Sequence, residues 1–295
     1  MGQAKRARWG QERRLEFIDF RLYWEGRVNR SDLIEFFGIS VPQSSLDLSK
    51  YQELAPHNSR YDLTEKAYVA TEDFKPIIAA SSAHAYLDQV LGLELGILQR
   101  NSSFLGSPPS AAAVKDPSRS VSPTTLRAVL QAIRSRSKLE ITYQSMSRAV
   151  PTARTISPHA IAFDGFRWHV RAFCHERQDF LDFLFARILE IVPGENSSVD
   201  PSTDAVWQRE VEIVILPHPA LTEGQRHAIE LDYGMENGRL VLKTREALLW
   251  YLLEHLGLLH EPDDSASSNQ VVLENRDALK PFFESHGVGV DQSTT

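Results

Sequence analysis

The 295-residue sequence contains one cysteine, Cys174, and therefore cannot form an intramolecular disulfide. A zinc site built from several thiolates is excluded for the same reason. Cys174 lies in the segment RAFC, where apolar residues alternate along the chain. We therefore expect a buried, unreactive thiol rather than a nucleophile.

Long apolar runs are also missing from the sequence. No run of about eighteen apolar residues exists, which excludes a membrane-spanning helix. The amino-terminal stretch MGQAKRARWGQERR is basic, but no hydrophobic region follows it, so a secretory signal is not expected either. These two absences predict a cytoplasmic protein.

Motifs of the common enzyme classes are absent as well. The sequence contains no GxxxxGK[ST], GxGxxG, HExxH or GxSxG, and so has no recognisable site for nucleotide, zinc or serine-nucleophile chemistry. Ser145 with His159 or His169 supplies a nucleophile and a base by residue type, but no motif indicates the strained turn that activates a serine. Three other histidines are too dispersed to suggest a metal site: His227, His255 and His260. We predict no catalytic activity, no metal and no cofactor.

Charge is distributed unevenly along a chain whose net charge is −7. Residues 1–30 carry eight Lys or Arg against four Asp or Glu, whereas the residues from Gln208 onward carry seven against fifteen. The first segment attracts the phosphates of DNA and the last repels them. A DNA-binding amino-terminal region is one interpretation, and a solvated basic helix without a partner fits the charge equally well.

The order of elements after this basic region favours DNA binding. We predict a helix over Gln11–Trp24, a second over Asp32–Phe37 capped by Asn29 or Ser31, and a third that opens at Pro42. Gly38-Ile39-Ser40 supplies the tight turn of a helix-turn-helix between the last two. The third helix is expected to pack through its apolar residues: Leu46, Leu48 and Tyr51.

Small polar residues at the start of this third helix are suited to a major groove. Gln43 can form two hydrogen bonds with adenine, and Lys50 can neutralise a phosphate. The segments around Thr64-Glu65-Lys66 predict a hairpin that acts as the wing. The predicted DNA-binding residues are Arg13, Arg14, Pro42, Gln43, Ser44, Ser45, Lys50, Arg60 and Lys66. A three-helix unit with a hairpin that does not touch DNA would show the same pattern.

The segment Leu139–Ile188 contains four short strands whose polar positions are rich in Ser, His and Arg. In FRWHVRAF, side chains of a strand point alternately to its two faces, which predicts Trp168, Val170 and Ala172 on a packed face. The same alternation places Arg167, His169 and Arg171 on an open face that offers hydrogen-bond donors to an anion.

This block resembles the WYL domain. Trp168-His169-Val170 stands where that family has Trp-Tyr-Leu, with Ser157-Pro158-His159 upstream and Phe185-Ala186-Arg187-Ile188 downstream. The resemblance implies a ligand-sensing sheet, and the arginines and histidines suit a phosphate or a nucleic-acid end. The predicted ligand-binding residues are Tyr143, Ser145, Ser147, His159, His169, Arg171 and Arg187. Arg154 is a weaker candidate, because it can serve only to position the strand of His159.

The remainder of the chain, from about Trp207 to Phe283, predicts a small βαβα unit. It resembles the carboxy-terminal extension that accompanies WYL domains and supports dimerisation, and it includes the segment ELDYG. The complete order resembles the WYL-domain regulators of bacterial antiphage defence islands, the BrxR- and CapW-like repressors linked to BREX and CBASS systems.

The resemblance implies an α+β multidomain fold with four parts. These are a winged helix-turn-helix with connecting helices (1–105), a linker (106–122), a small β-barrel-like, Sm-like WYL domain (123–194) and an α/β dimerisation domain (207–285). The implied function is a homodimeric repressor of a defence operon that binds a pseudopalindromic double-stranded DNA operator. An anionic ligand on the WYL domain, a nucleotide or nucleic acid, would control it. The alternatives are a transcriptional activator and a modulator of a defence nuclease.

Overall fold

A computed structural model describes residues 2–78, 82–114, 117, 120–262, 266 and 269–285. The chain forms two compact units, Met1–Pro117 and Ser118–Thr295. The division falls within the predicted linker 106–122, of which residues 115–116 and 118–119 lie outside the described residues. No helix in the described part of the chain is both long and apolar enough to cross a membrane.

The first unit is a winged helix-turn-helix followed by one further helix. Its elements are α1 (Gly2–Glu25), β1 (Arg27–Val28), α2 (Arg30–Phe37), α3 (Val41–Leu54), β2 (Ser59–Asp62), β3 (Ala67–Ala70) and α4 (Ala83–Glu94). The three strands form an antiparallel sheet in the order β1-β3-β2. The predicted hairpin is therefore present, and a short strand before α2 extends it.

Local signals fix the ends of α2 and α3. Asn29 caps α2 through a reciprocal pair of hydrogen bonds with Asp32, 2.7 and 3.0 Å long. Gly38 ends α2 in the left-handed conformation, with φ 64°, and Ser40 caps α3. The ends of α2 and the start of α3 are therefore set by capping residues that can be recognised in the sequence.

Side chains from all three helices build the core of the first unit. Phe17, Ile18 and Leu22 of α1 are fully enclosed, with Leu33 of α2 and Tyr51 of α3 among their neighbours. The prediction that Leu46 packs into this core is wrong, because its side chain is 63% exposed. Leu48 and Tyr51 lie on the opposite face of α3 and are buried as expected.

The second unit begins with α5 (Pro123–Ser135), which lies against a five-stranded antiparallel sheet. Its strands are β4 (Ser137–Tyr143), β5 (Thr152–Phe163), β6 (Trp168–Cys174), β7 (Asp179–Leu184) and β8 (Ile188–Asn196). The order is β7-β6-β5-β4-β8, so the first strand pairs with the last. The outer strands β7 and β8 do not pair with each other, however, and the barrel-like closure expected for this domain is not formed.

Strand β6 differs from its predicted pattern of one packed and one open face. His169, Val170, Arg171, Ala172 and Cys174 are all buried, so both faces are covered. Trp168, predicted to pack, is 46% exposed and contacts Phe163 with ring centroids 5.0 Å apart. Simple alternation fails here because ion pairs satisfy the polar side chains inside the protein.

The rest of the second unit is a small α/β arrangement. It comprises α6 (Ala205–Gln208), β9 (Glu210–Pro217), α7 (Glu223–Asp232), β10 (Leu240–Arg245), α8 (Glu246–His255), β11 (Val271–Leu273) and α9 (Lys280–Ser285). The predicted βαβα order is present, and β11 completes an antiparallel sheet in the order β10-β9-β11. Its core includes Ile213, Ile215, Leu249 and Leu253.

Candidate DNA-binding surface and sensor cluster

Helix α3 has one face in the core and one face toward solvent. Ser44, Asp47, Leu48 and Tyr51 are buried. The outer face presents Pro42, Leu46, Ser49 and Lys50. In a winged helix-turn-helix, α3 is the recognition helix, and its outer face is the surface that a major groove can meet.

The two serines predicted to touch DNA instead form hydrogen bonds within the helix. The hydroxyls of Ser44 and Ser45 donate to the carbonyl of Val41 over 2.9 and 3.1 Å. Ser44 is completely buried, so it is turned away from the surface on which the prediction placed it. Ser45 is half-buried at the edge of the outer face.

A buried carboxylate on α3 joins two other predicted DNA contacts. Arg14 of α1 donates from Nε to Oδ2 of Asp47 over 2.6 Å and from Nη2 to Oδ1 over 3.3 Å. Gln43 donates from Nε2 to Oδ1 of the same residue over 3.1 Å. Arg14 therefore ties α1 to α3, while Asp47 fixes which end of the Gln43 amide points inward.

The remaining basic candidates lie at the surface of the first unit. Lys50 pairs with Glu53 over 2.9 Å, and Arg60 on the wing lies 3.6 Å from Asp62. Lys66 is exposed at the wing tip with φ 51°. Arg13 pairs with Glu16 over 2.8 Å, and its guanidinium lies 4.1 Å from the centre of the buried Phe104 ring. The exposed ion pairs of Arg13, Lys50 and Arg60 are weak, so these side chains can exchange their carboxylate partners for phosphates.

Sequence reasoning did not identify the buried network behind α3. Asp19 of α1 accepts hydrogen bonds from the Tyr51 hydroxyl and from the backbone amides of Ile77 and Ile78, the latter two over 3.0 and 2.8 Å. Asn58 donates to the Tyr51 oxygen over 3.0 Å. One carboxylate thus joins α1, the recognition helix and the segment that leaves the wing. An acidic residue inside the apolar stripe of α1 was the only sequence signal.

In the second unit, Arg171 of β6 is enclosed by carboxylates. It binds Asp204 through two hydrogen bonds, Nε to Oδ2 over 2.8 Å and Nη2 to Oδ1 over 2.9 Å, and it reaches Asp182 over 3.4 Å. His159 shares Oδ2 of Asp204 at 3.0 Å. A guanidinium binds a carboxylate most strongly through two parallel hydrogen bonds, and in this protein Asp204 already occupies that position on Arg171.

A second carboxylate holds the turn between β5 and β6. Asp164 accepts from Nε2 of His169 over 2.8 Å, from Nε of Arg167 over 2.9 Å, and from the backbone amides of Phe166 and Arg167. Nδ1 of His169 is buried and has no hydrogen-bond partner among the residues the structure describes. The ring of Tyr251 on α8 lies 5.1 Å from the His169 ring and covers this face of the sheet.

The pKa shifts follow from this burial and pairing. Burial lowers the pKa of His159, although Asp204 opposes the effect, so the imidazole is neutral at pH 7. Burial raises the pKa of Asp182 despite the nearby Arg171. Burial would also raise the pKa of Asp164, but the hydrogen bonds from His169, Phe166 and Arg167 hold it far below its usual range. Burial, with the charges of Asp182 and Asp164, raises the pKa of Tyr251 to about 12.

The predicted ligand-binding residues fall into two groups. His159, His169 and Arg171 belong to the buried cluster described above, which we call the sensor cluster together with Asp164, Asp182, Asp204 and Tyr251.

Tyr143, Ser145, Ser147 and Arg187 form the second group, where β4 ends beside β8. Tyr143 is buried against Phe183, and its hydroxyl accepts from the Leu184 amide over 3.2 Å. The hydroxyls of Ser145 and Ser147 lie 3.0 Å apart, and the backbone of Gln144 bonds that of Arg187. Arg187 has no ion-pair partner in the described part of the chain. Arg154, the weaker candidate, lies half-exposed on β5.

Within the described ranges, no group of three or more His, Cys, Asp or Glu side chains could hold a metal ion. The clustered carboxylates instead serve the arginines and histidines. Sequence reasoning missed Asp204 because it lies beyond the predicted end of the WYL domain. It missed Tyr251 because that residue lies within an apolar helix of the next domain.

Three family models match this chain in succession. They are the BrxR transcriptional regulator winged helix-turn-helix domain over residues 10–92, the WYL domain over 124–193, and the BrxR transcriptional regulator C-terminal dimerization domain over 210–279. The domain order inferred from the resemblance is therefore confirmed.

Curated relatives match nearly the full length. The DNA-binding transcriptional repressor CapW of Stenotrophomonas maltophilia is 44% identical over 283 residues, which cover 95% of this chain and 94% of that protein. The protein of the same name from Pseudomonas aeruginosa is 43% identical over 94% of this chain and 93% of that protein. The chain belongs to the CapW family of transcriptional regulators. The CapW protein of Escherichia coli strain KTE188, 42% identical over 92% of each chain, agrees with this assignment.

Proposed function

We propose that this chain is a homodimeric transcriptional repressor that binds a pseudopalindromic DNA operator and is not an enzyme. The observation that carries the proposal is the outer face of α3, a solvent-exposed recognition-helix surface in a winged helix-turn-helix. The relatives named as DNA-binding repressors support it, and so does the match to a dimerization domain. Two-fold symmetry would present two such helices to two half-sites. Such a protein acts in the cytoplasm, where its operator is.

We further propose that the regulated operon is an antiphage defence operon and that an anionic ligand on the WYL domain, a nucleotide or nucleic acid, modulates DNA binding. Arg187 with Ser145 and Ser147 is the accessible part of the candidate ligand site. Arg171 can join it only if the anion takes the place of Asp204. Asp204 also caps α6 by accepting from the Trp207 amide over 3.1 Å. That exchange would therefore remove the cap of α6, the helix that begins the segment leading to α8.

The signal must also reach the first unit. We propose that ligand occupancy changes the separation of the two recognition helices through the connecting region Glu72–Ser122, of which residues 79–81, 115–116 and 118–119 lie outside the described residues. Coupling between two sites is defined by a change in affinity. A ligand that binds the protein without altering its affinity for the operator would contradict this route.

The function is tested by a gel shift of the purified protein with the DNA upstream of its own gene, at two salt concentrations and beside a scrambled duplex. Selective binding to the natural sequence is expected. Lys50→Ala should lower the slope of log affinity against log salt by about one unit per half-site, because each subunit of the dimer loses one phosphate contact. Lys243→Ala, an exposed lysine in the second unit that pairs with Glu212 over 3.1 Å, is the matched control and should leave the slope unchanged.

Equal, weak binding to both duplexes would contradict the proposal and leave the winged helix without a DNA role. Selective binding alone does not separate repression from activation, since both need the same DNA-binding module. The position of the protected sequence relative to the promoter separates them, because a repressor covers the site that the polymerase must occupy.

A further inference from the structure

The outer face of α3 carries an exposed apolar side chain at its centre, beside the polar residues Gln43, Ser49 and Lys50. Leu46 is 63% exposed in the middle of the recognition helix. A lone exposed leucine is common on protein surfaces and does not by itself indicate a function. Its position is informative here, because this face is the one that a major groove would meet.

Helical spacing places Leu46 at the centre of the candidate contact surface. Residues three and four positions apart are neighbours on a helix, so Pro42 and Gln43 flank Leu46 on one side and Ser49 and Lys50 on the other. The opposite face of α3 is fully used by the core. Leu46 therefore has no route into the interior of its own unit.

The major-groove edge of DNA offers one apolar group, the 5-methyl group of thymine. An exposed leucine at the centre of a recognition surface matches that group, whereas it would leave the donors and acceptors of a G·C pair unsatisfied. We propose that Leu46 is a specificity-determining residue that packs against a thymine methyl group in each half-site. This inference rests on the proposed DNA-binding function.

Gln43, one turn earlier on the helix, supports the same reading of the operator. Because a carboxylate only accepts hydrogen bonds, Asp47 holds the Nε2 side of the Gln43 amide toward itself, over 3.1 Å. The other Nε2 proton and Oε1 then remain for a base. One donor beside one acceptor is the pair that adenine N7 and N6 require. Leu46 and Gln43 thus select A·T pairs at positions within reach of one helical turn.

The test replaces thymine by deoxyuridine, which lacks only the 5-methyl group, at one position of one operator half-site at a time. Binding of the full-length protein is measured by fluorescence anisotropy. At one thymine per half-site, the loss of the methyl group should lower affinity by about fourfold, the scale for burying one methyl-sized group. Other thymines should show no such effect.

Two variants connect that position to Leu46. Leu46→Ala should bind the thymine and uracil operators equally, because the packing partner of the methyl group is gone. Leu87→Ala removes a similarly exposed leucine, 60% exposed on α4, and should keep the discrimination of the unchanged protein. Size-exclusion chromatography with light scattering should give the same oligomeric state for all three proteins.

The outcomes separate the inference from the function on which it rests. Absence of selective operator binding would overturn the repressor function itself. Selective binding with no uracil-sensitive position, or with a sensitivity that persists in Leu46→Ala, would overturn the role of Leu46 and leave the function standing. A change of oligomeric state in Leu46→Ala without loss of thymine discrimination would instead assign the leucine to a protein contact.

Discussion

Asp47 illustrates how single residues control the recognition helix from inside. It is completely buried on α3, and its neutralising partner Arg14 belongs to another helix. Burying a charge is costly unless it is paired and hydrogen-bonded. The position of α3 on α1 therefore depends on this pair as well as on apolar packing.

Replacing Arg14 with Ala leaves the Asp47 carboxylate buried without its cation. We expect the free energy of unfolding of the first unit to fall by about 3–5 kcal/mol, the cost of breaking a buried ion pair on one side. Urea unfolding monitored by circular dichroism measures it. Lys50→Ala removes one member of an exposed pair and should cost less than about 1 kcal/mol. Similar losses for the two variants would show that the Arg14–Asp47 pair is not structural.

His159 makes the stability of the second unit depend on pH. Burial lowers the pKa of His159 in the folded protein, whereas a histidine in the unfolded chain has a pKa of about 6.5. Below that pH the unfolded chain binds more protons than the folded protein. The free energy of unfolding is therefore highest above that pH and decreases as the pH falls below it.

His159→Gln removes this titration but keeps a donor for Asp204. The difference in unfolding free energy between the unchanged protein and the variant should decrease from pH 7 to pH 5, by no more than about 1.4 kcal/mol per pH unit. His175, whose pKa burial also lowers, is present in both proteins and cancels. Urea titrations at several pH values provide the data, and a difference that stays constant with pH would rule out the effect.

At this scale, the sequence predicted which residues are chemically special but not what they contact. Arg171 and His169 were identified from strand periodicity as open donors. Their carboxylate partners come from a turn, from the neighbouring strand β7 and from a segment after the sheet, and periodicity within one strand contains no information about any of them. Gln43 was predicted to contact a base, but the role of Asp47 depends on a contact between helices, with Arg14 lying 33 residues earlier in the chain.

At the scale of elements, the ends of α2 and the start of α3 were predictable because caps are local, whereas α1, predicted from Gln11, begins at Gly2. Asn29, Gly38 and Ser40 each act within four residues of the helix they bound. That both faces of β6 are buried could not be predicted, because α8, from a later part of the chain, covers one of its faces. The turn between β5 and β6 is the element that meets α8, with the Phe166 and His255 rings 4.6 Å apart.

Gly165 in this turn tests that contact. It has φ +98°, and a Cβ atom there would lie 2.2 Å from Cε1 of His255. Gly165→Ala should lower the unfolding free energy of the second unit by about 1–3 kcal/mol through overpacking, in addition to backbone strain. Combining it with His255→Ala should recover the steric part. Gly224→Ala, where nothing lies within 4 Å, is the control and should not destabilise the unit in thermal or urea unfolding.

At the scale of the whole molecule, the order of domains followed from the resemblance of a few motifs, and the family models confirm it. The open WYL sheet did not follow, because strand order alone does not determine whether the outer strands meet. Nor does the sequence show that the later two domains form one compact unit. That property depends on contacts such as His169 with Tyr251, between residues far apart in the chain.

The first unit has a core of its own, so residues 1–117 should fold alone. We expect this fragment to unfold in one cooperative step and to bind a half-site with about half the salt slope of the full protein, because one recognition helix replaces two. Circular dichroism and anisotropy with half-site and full-operator duplexes measure these properties. Binding of the full operator as tightly as by the intact chain would show that dimerisation contributes nothing to recognition.

The buried thiol of Cys174 has a practical consequence for studying this regulator. It is fully enclosed, donates to Glu176 over 3.4 Å, and has a pKa that burial raises, so it reacts slowly with maleimides and methanethiosulfonates. The unchanged sequence should therefore react very little with thiol-directed labels. The substitution Ser49→Cys would allow one spin label to be attached to each recognition helix of a dimer. Pulsed electron paramagnetic resonance could then measure the distance between the labels on the two helices, with and without a ligand.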